Sequence, residues 1–246
     1  MLGTLKHGTK GLLCAAALLA SGNGFARTEI IDVMVSDLFA PVGFDDNDQS
    51  LVVLDGYLPS SCYNVGEPRI EIDNVTKTVK VEQQAAYFQG IFCLQALVPF
   101  TTVAKVGVLP KGNYTVVSSR GTLTEKMAVK EAATTSPDDY MYAPVERVSI
   151  KDGIQNSHVA TFDGRFTNSC MEWDKVKVFN HDKTIEVLPI VKLREVENCE
   201  PIEKPFRITV DLPKGLTVGR HLLHVRTLNG GSLNAVFSVY DQNVDR

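Results

Sequence analysis

The chain has 246 residues, 25 Lys and Arg against 29 Asp and Glu, and is 44% hydrophobic and 22% charged. That balance excludes disordered, collagenous and multi-span membrane proteins. A formal charge of −4 argues against nucleic acid as the main partner, because binding phosphates needs a basic face.

Residues 1–26 read as a secretory signal. Lys6, His7 and Lys10 give a positive start, Gly11 to Ala20 an apolar run too short to span a bilayer, and Gly24 and Ala26 the small residues of a cleavage site. Cleavage is expected after Ala26. Cys14 does not fit a lipidation site, since Leu13 precedes it and it stands at the start of the apolar run. From Arg27 onward no stretch approaches 18 consecutive apolar residues, so no transmembrane anchor is expected. Without residues 1–26 the chain keeps 23 basic and 29 acidic groups, a net −6. The expected location is periplasmic or secreted.

Four cysteines remain after the signal: Cys62, Cys93, Cys170 and Cys199. An even number in an exported chain reads as two disulfides, with three possible connectivities. An internal repeat narrows the choice. Asp55-Gly56 to Cys62 and Asp163-Gly164 to Cys170 both read DGxxxxSC. Arg69–Ile72 matches Lys175–Val178, and Thr78–Val81 matches Thr184–Val187; twelve positions then separate Val81 from Cys93 and Val187 from Cys199. Pro99-Phe100 and Pro205-Phe206 follow, then Leu-Pro-Lys-Gly at 109–112 and 212–215, and Ala-Pro-Val stands at 40–42 and 143–145. The pattern is one unit written twice with a period near 105 residues. Equivalent cysteines are expected to pair within each copy, Cys62 with Cys93 and Cys170 with Cys199. The strip from Glu131 to Ala143 has linker composition. The expected division is a first domain at 27–134, a linker at 135–142 and a second domain at 143–246, each domain folding by itself.

Within each copy the hydrophobic period is two. Ile70 and Ile72, Val79 and Val81 alternate with polar residues around a turn at 73–77, and Val176/Val178 and Ile185/Val187 repeat this. Phe206 to Leu212 alternates cleanly, and strands are expected at Tyr114–Val117, Leu222–Val225, Leu123–Val129 and Leu233–Val239. The fold class is all-β: two tandem antiparallel β-sandwich (Ig-like) domains, internally duplicated, with one disulfide each. The Leu-Pro-x-Gly-x-Tyr run from Leu109 to Tyr114 resembles the turn into a strand of immunoglobulin-like and fibronectin-like domains of exported bacterial proteins. His221 stands nearest the tyrosine position in the second copy. The cysteines depart from the antibody pattern, being 31 and 29 positions apart with Trp173 only three past Cys170. In size, two exported sandwiches are similar to the periplasmic pilus chaperones.

No catalytic signature is present: no HExxH, GxSxG, P-loop, CxxC or dinucleotide fingerprint. His221 and His224 fall on opposite faces of one strand and do not form a chelating pair; with His158 and His181 they are expected to be surface or half-buried polar residues. The acidic loop Asp45, Asp46, Asn47, Asp48 lacks the DxDxDG calcium spacing and is expected to be a solvated turn outside the repeat. The repeated Asp-Gly pairs are expected to mark a turn or bulge needing glycine. Asn74-Val75-Thr76 and Asn113-Tyr114-Thr115 fit the glycosylation acceptor.

No catalytic residue, metal site or cofactor is therefore assigned. The reading is a non-enzymatic exported module that binds another protein or an envelope component, with contact expected at a strand edge or in the Asp45–Asp48 loop. The competing reading is a β-sandwich hydrolase or carbohydrate-active enzyme, for which carboxylates converging on an interdomain cleft would speak.

Overall fold

A computed structural model describes residues 27–118, 122–152, 157–195 and 198–241; the expected signal segment, 1–26, lies outside them. The alternation at 70–81 builds a hairpin: β6 (Arg69–Asp73) turns at Lys77, φ 52°, into β7 (Thr78–Phe88), with Ile70 opposite Val81 and Ile72 opposite Val79. The second copy repeats it as β13 (Met171–His181) and β14 (Thr184–Leu193), turning at Asp182, φ 57°.

The chain is all-β, two tandem β-sandwiches with no helix among the described residues. In the first, a sheet of β2 (Asp37–Phe39), β4 (Ser50–Leu58) and β8 (Val98–Gly107) packs on a larger sheet centred on β7. That sheet also holds β1 (Thr28–Val33), β5 (Tyr63–Val65), β6, β9 (Gly112–Ser118), β10 (Leu123–Lys130) and β3 (Phe44–Asp45). In the second, β11 (Val145–Asp152), β12 (His158–Phe166) and β15 (Lys204–Asp211) pack on β13, β14, β16 (Gly219–Thr227) and β17 (Gly231–Val239). Pairing is antiparallel except for β7 with β9, β10 with β3 and β14 with β16. Each unit carries one disulfide, Cys62–Cys93 and Cys170–Cys199, with Cα separations of 5.3 and 5.4 Å.

Strand register fixes which residues of the two copies are equivalent. Gly56 lies opposite Phe100 and Gly164 opposite Phe206. Both glycines are mid-strand and neither has a positive φ, so the expected turn is not there; a bulge does stand opposite the second pair, where β11 shifts register between Val145, facing Gly164, and Arg147, facing Asp163. What they supply is space. A β-carbon at Gly56 would meet the Phe100 ring at 3.0 Å, and one at Gly164 would collide with the Phe206 ring and the Pro144 carbonyl. The repeated Asp-Gly and Pro-Phe pairs are two halves of one packing contact.

Two of the matched segments are not equivalent. Val79 pairs with Val116 and Ile185 with Leu223, which makes Tyr114 the counterpart of His221 and Leu109–Gly112 the counterpart of Leu216–Gly219. The Leu-Pro-Lys-Gly at 212–215 begins one residue past Asp211, where the first copy has Val106. Ala143-Pro144-Val145 leads into β11, whereas Ala40-Pro41-Val42 follows β2.

The two sandwiches share an apolar interface. β4 is buried from Ser50 to Gly56, β14 from Thr184 to Val191 and β16 from His221 to Arg226, so both faces of these strands are covered. Leu222 and Val236 join the core of the first unit, while Leu223 and Val225 stay in that of the second. Four sheets are therefore stacked, the middle two across the unit boundary. Two ion pairs pin them. Arg220 donates to both carboxylate oxygens of Asp55 at 2.9 Å, and Arg226 donates to both of Asp48 at 3.2 and 2.9 Å.

Candidate functional site

The acidic loop singled out in the sequence is part of this interface rather than a solvated turn. Asp48 and Arg226 are each about 95% buried, the Asp45 backbone N–H donates to Asp48, and the Asn47 side chain donates to the carbonyls of Thr134 and Ser136. The loop was hydrophilic for pairing, not for hydration. The histidines also differ from expectation. His158, His221 and His224 are buried, and only His181 is substantially exposed. His221 and His224 do lie on opposite faces: His221 Nε2 donates to the Thr217 carbonyl at 2.7 Å inside the second sandwich, and His224 Nδ1 donates to Asn234 at 2.8 Å at the unit interface, edge-on to Phe44. Burial pulls the His224 pKa down to about 4, against the weaker opposing pull of Asn234. Among the described residues no three metal-ligating side chains come together.

Two places outside these pairings carry chemistry. The first is a cleft of about 370 Å³ between the units, lined by Asp45, Lys130, Tyr142, Phe179, His181 and Glu186 among others. Glu186 is buried, its Oε2 faces His181 Nε2 at 3.5 Å, and its Oε1 takes the place a β-carbon would have at Gly43, whose φ of 93° favours glycine. Burial raises the Glu186 carboxyl pKa, with His181 and Arg226 opposing. Asp45 is raised by burial and by Asp48 beside it, and Tyr142 by burial.

The second is the loop from Gln89 to Leu97, between β7 and β8. Cys93 ties its middle to Cys62, and it is fixed further by the Ser61 N–H on the Leu94 carbonyl at 3.1 Å and the Leu94 N–H on the Ser61 hydroxyl at 2.9 Å. On this rigid frame Phe92 is 93% exposed, with Ile91, Leu94 and Leu97 exposed beside it. The second copy builds the same frame, Ser169 N–H to the Glu200 carbonyl and Glu200 N–H to the Ser169 hydroxyl, both at 3.0 Å. There Glu200 stands where Leu94 does, with Glu195, Glu197 and Glu203 nearby in sequence. No charged residue occurs between Glu82 and Lys105. This loop was missed in the sequence, although aligning the two copies shows its loss of charge.

Residues 52–125 match the family model described as the ORF11 beta-sandwich domain. The match runs from β4 into β10 and includes the exposed loop. It agrees with the sandwich seen for the first unit. No curated protein and no solved structure matches the chain.

Proposed function

We propose that the protein is an exported, non-enzymatic binding module whose contact with another protein is the disulfide-pinned loop Gln89–Leu97. One observation carries this: identical backbone frames in the two copies present Leu94 and its apolar neighbours in one, and Glu200 with its acidic neighbours in the other. Packing demands neither choice, because Leu94 and Glu200 are both exposed. A rigid loop loses little entropy on binding, and burying Phe92, Leu94 and Leu97 stabilises a complex by roughly 1.5–3 kcal/mol per side chain. A protein partner fits better than a lipid surface, since no Lys or Arg lies in sequence between Glu82 and Lys105, the chain from Arg27 onward is acidic, and Arg27, whose carbonyl accepts from the Gln89 N–H, is a single cation where a lipid surface calls for a cluster. Export and periplasmic or secreted residence belong to the same reading, supported by the two disulfides; it expects Arg27 at the mature N-terminus, which N-terminal sequencing checks.

The test is affinity capture from an envelope extract with Phe92→Asp and Leu94→Glu, the latter copying the second unit. Both variants are expected to keep the wild-type unfolding midpoint and lose the partner. Retained capture by both would remove the loop from the interface.

A second reading, a hydrolase working in the interdomain cleft, has one observation on its side. Glu186 is a buried carboxyl with a raised pKa beside His181, the condition of a general acid. Glu186→Gln that abolishes turnover of a polysaccharide, ester or peptide substrate while the fold persists would establish it.

A further inference from the structure

The exposed loop runs directly into β8, the outermost strand of the sheet β2-β4-β8 among the described residues. One side of β8 is paired with β4 from Val98 to Gly107; no strand is hydrogen-bonded to its other side, which residues 65–68 and β6 approach across a gap. Proteins usually protect such an edge with charges, and the second copy does so. Its equivalent edge strand, β15, carries Lys204, Arg207 and Asp211, with Glu203 just before it. In β8 the matching positions are Val98, Thr101 and Lys105, preceded by Leu97, so the charges are missing along all but its last residues; Pro99, which has no N–H, guards only its start and leaves 101–106 open. A groove of about 370 Å³ flanks this edge, lined by Val65, Gly66, Glu67, Pro68, Thr102 and Val103.

We infer that β8 accepts an added strand: an extended, uncharged segment of a partner protein that pairs with its open edge and sets alternate apolar side chains into the groove. The occupant follows from three features together. Unpaired backbone N–H and C=O groups in a row are matched only by another extended backbone. From Val98 to Ala104 β8 carries no charge, so an uncharged segment pairs with it without desolvating a charge of the strand; Glu67, the one charge lining the groove, is exposed. The apolar loop continues the same surface, so side chains past the end of the added strand meet Leu97 and Leu94. This rests on the binding reading above and names its partner class.

The experiment pans a displayed library of random decapeptides on the oxidised full-length mature protein and maps an enriched peptide by hydrogen exchange. Enriched sequences are expected to be uncharged and to alternate apolar residues without a central proline. The bound peptide should slow exchange at amides within 101–106 and leave 207–211 unchanged. Val103→Lys, which returns a charge to the edge, should weaken that peptide at least tenfold. Protection confined to another segment, no enrichment, or unchanged affinity in Val103→Lys would overturn strand addition. A wild-type dimer dissolved by Val103→Lys would assign the edge to a second copy and equally overturn it. If Phe92→Asp abolishes partner capture while Val103→Lys does not, the contact loop stands and strand addition alone fails.

Discussion

His221 Nε2 reaches the carbonyl of Thr217, four residues before it, at 2.7 Å, and the Tyr114 hydroxyl reaches that of Pro110, also four residues before it, at 2.8 Å. The two copies use different rings for one task, fastening the turn that leads into the strand. Such a corner is known from tyrosine in sandwich domains. Tyr114→Phe and His221→Phe are each expected to destabilise their unit by about 0.5–1.5 kcal/mol, since each removes one hydrogen bond from a part-buried corner. Denaturant titration measures both; indifference in either variant would mean that water replaces the lost donor.

Glycine at 56 and 164 is required to different degrees. At Gly164 a β-carbon would overlap the Pro144 carbonyl and stand 2.5 Å from the Phe206 ring, whereas at Gly56 it lies at the limit of contact, 3.0 Å from Phe100 and 3.1 Å from the Val35 Cα. Gly164→Ala is expected to cost about 1–3 kcal/mol and Gly56→Ala less. A reversed order in thermal unfolding would contradict the packing described.

The buried pair Asp48–Arg226 should show the asymmetry of buried charges. Arg226→Met strands the Asp48 carboxylate and is expected to cost about 3–5 kcal/mol. Adding Asp48→Asn to that variant removes the stranded charge, keeps an acceptor for Asp45, and should recover part of the loss. The same interface bears on separating the units. Expressed alone, each half leaves one face of a doubly buried sheet bare, so both are expected to be less stable than the joined chain and to associate when mixed. Analytical ultracentrifugation of the mixed halves checks this.

Acidification should loosen the interface at His224. Its folded pKa, about 4, lies below the unfolded value of 6.5, so unfolding takes up a proton between these limits. The stability is fully present above pH 6.5 and is lost as pH falls towards 4, by roughly 3 kcal/mol in all. Glu186 and Asp45 act the other way, because their raised carboxyl pKa values favour the folded state as pH falls. His224→Gln isolates the effect: its midpoint should fall less than the wild type's between pH 6.5 and 4. Parallel pH profiles would show that His224 stays neutral for another reason.

The sandwiches were legible because a period of two and a repeated set of spacings survive in the sequence. Ile70, Val79, Ile185 and Leu223 occupy the strands their alternation indicates. The interface was not legible, because its residues mimic hydration. Asp48, Asp55 and Arg220 look like surface charges until their partners, more than 160 positions away, are in place. Short identical strings also misled. The second Leu-Pro-Lys-Gly and the first Ala-Pro-Val are matches of composition at places the strands do not equate. The apolar loop was overlooked for the opposite reason, since no motif marks an absence of charge.

The stacked interface also sets a limit on how long such an array can grow. It is head to tail: the outer face of β4 in one unit meets the outer faces of β14 and β16 in the next. A third unit in front would need an apolar face where the first unit instead has Thr115 and Lys126, the counterparts of Leu222 and Val236, with the Lys126 ammonium on the Thr115 hydroxyl at 2.8 Å. A third behind would need one where Val53 and Tyr57 are replaced by Thr161 and Arg165. Both outward faces carry polar residues where the interface has apolar ones, as the capping repeats of solenoids do, and that disfavours stacking of a further sandwich on either face.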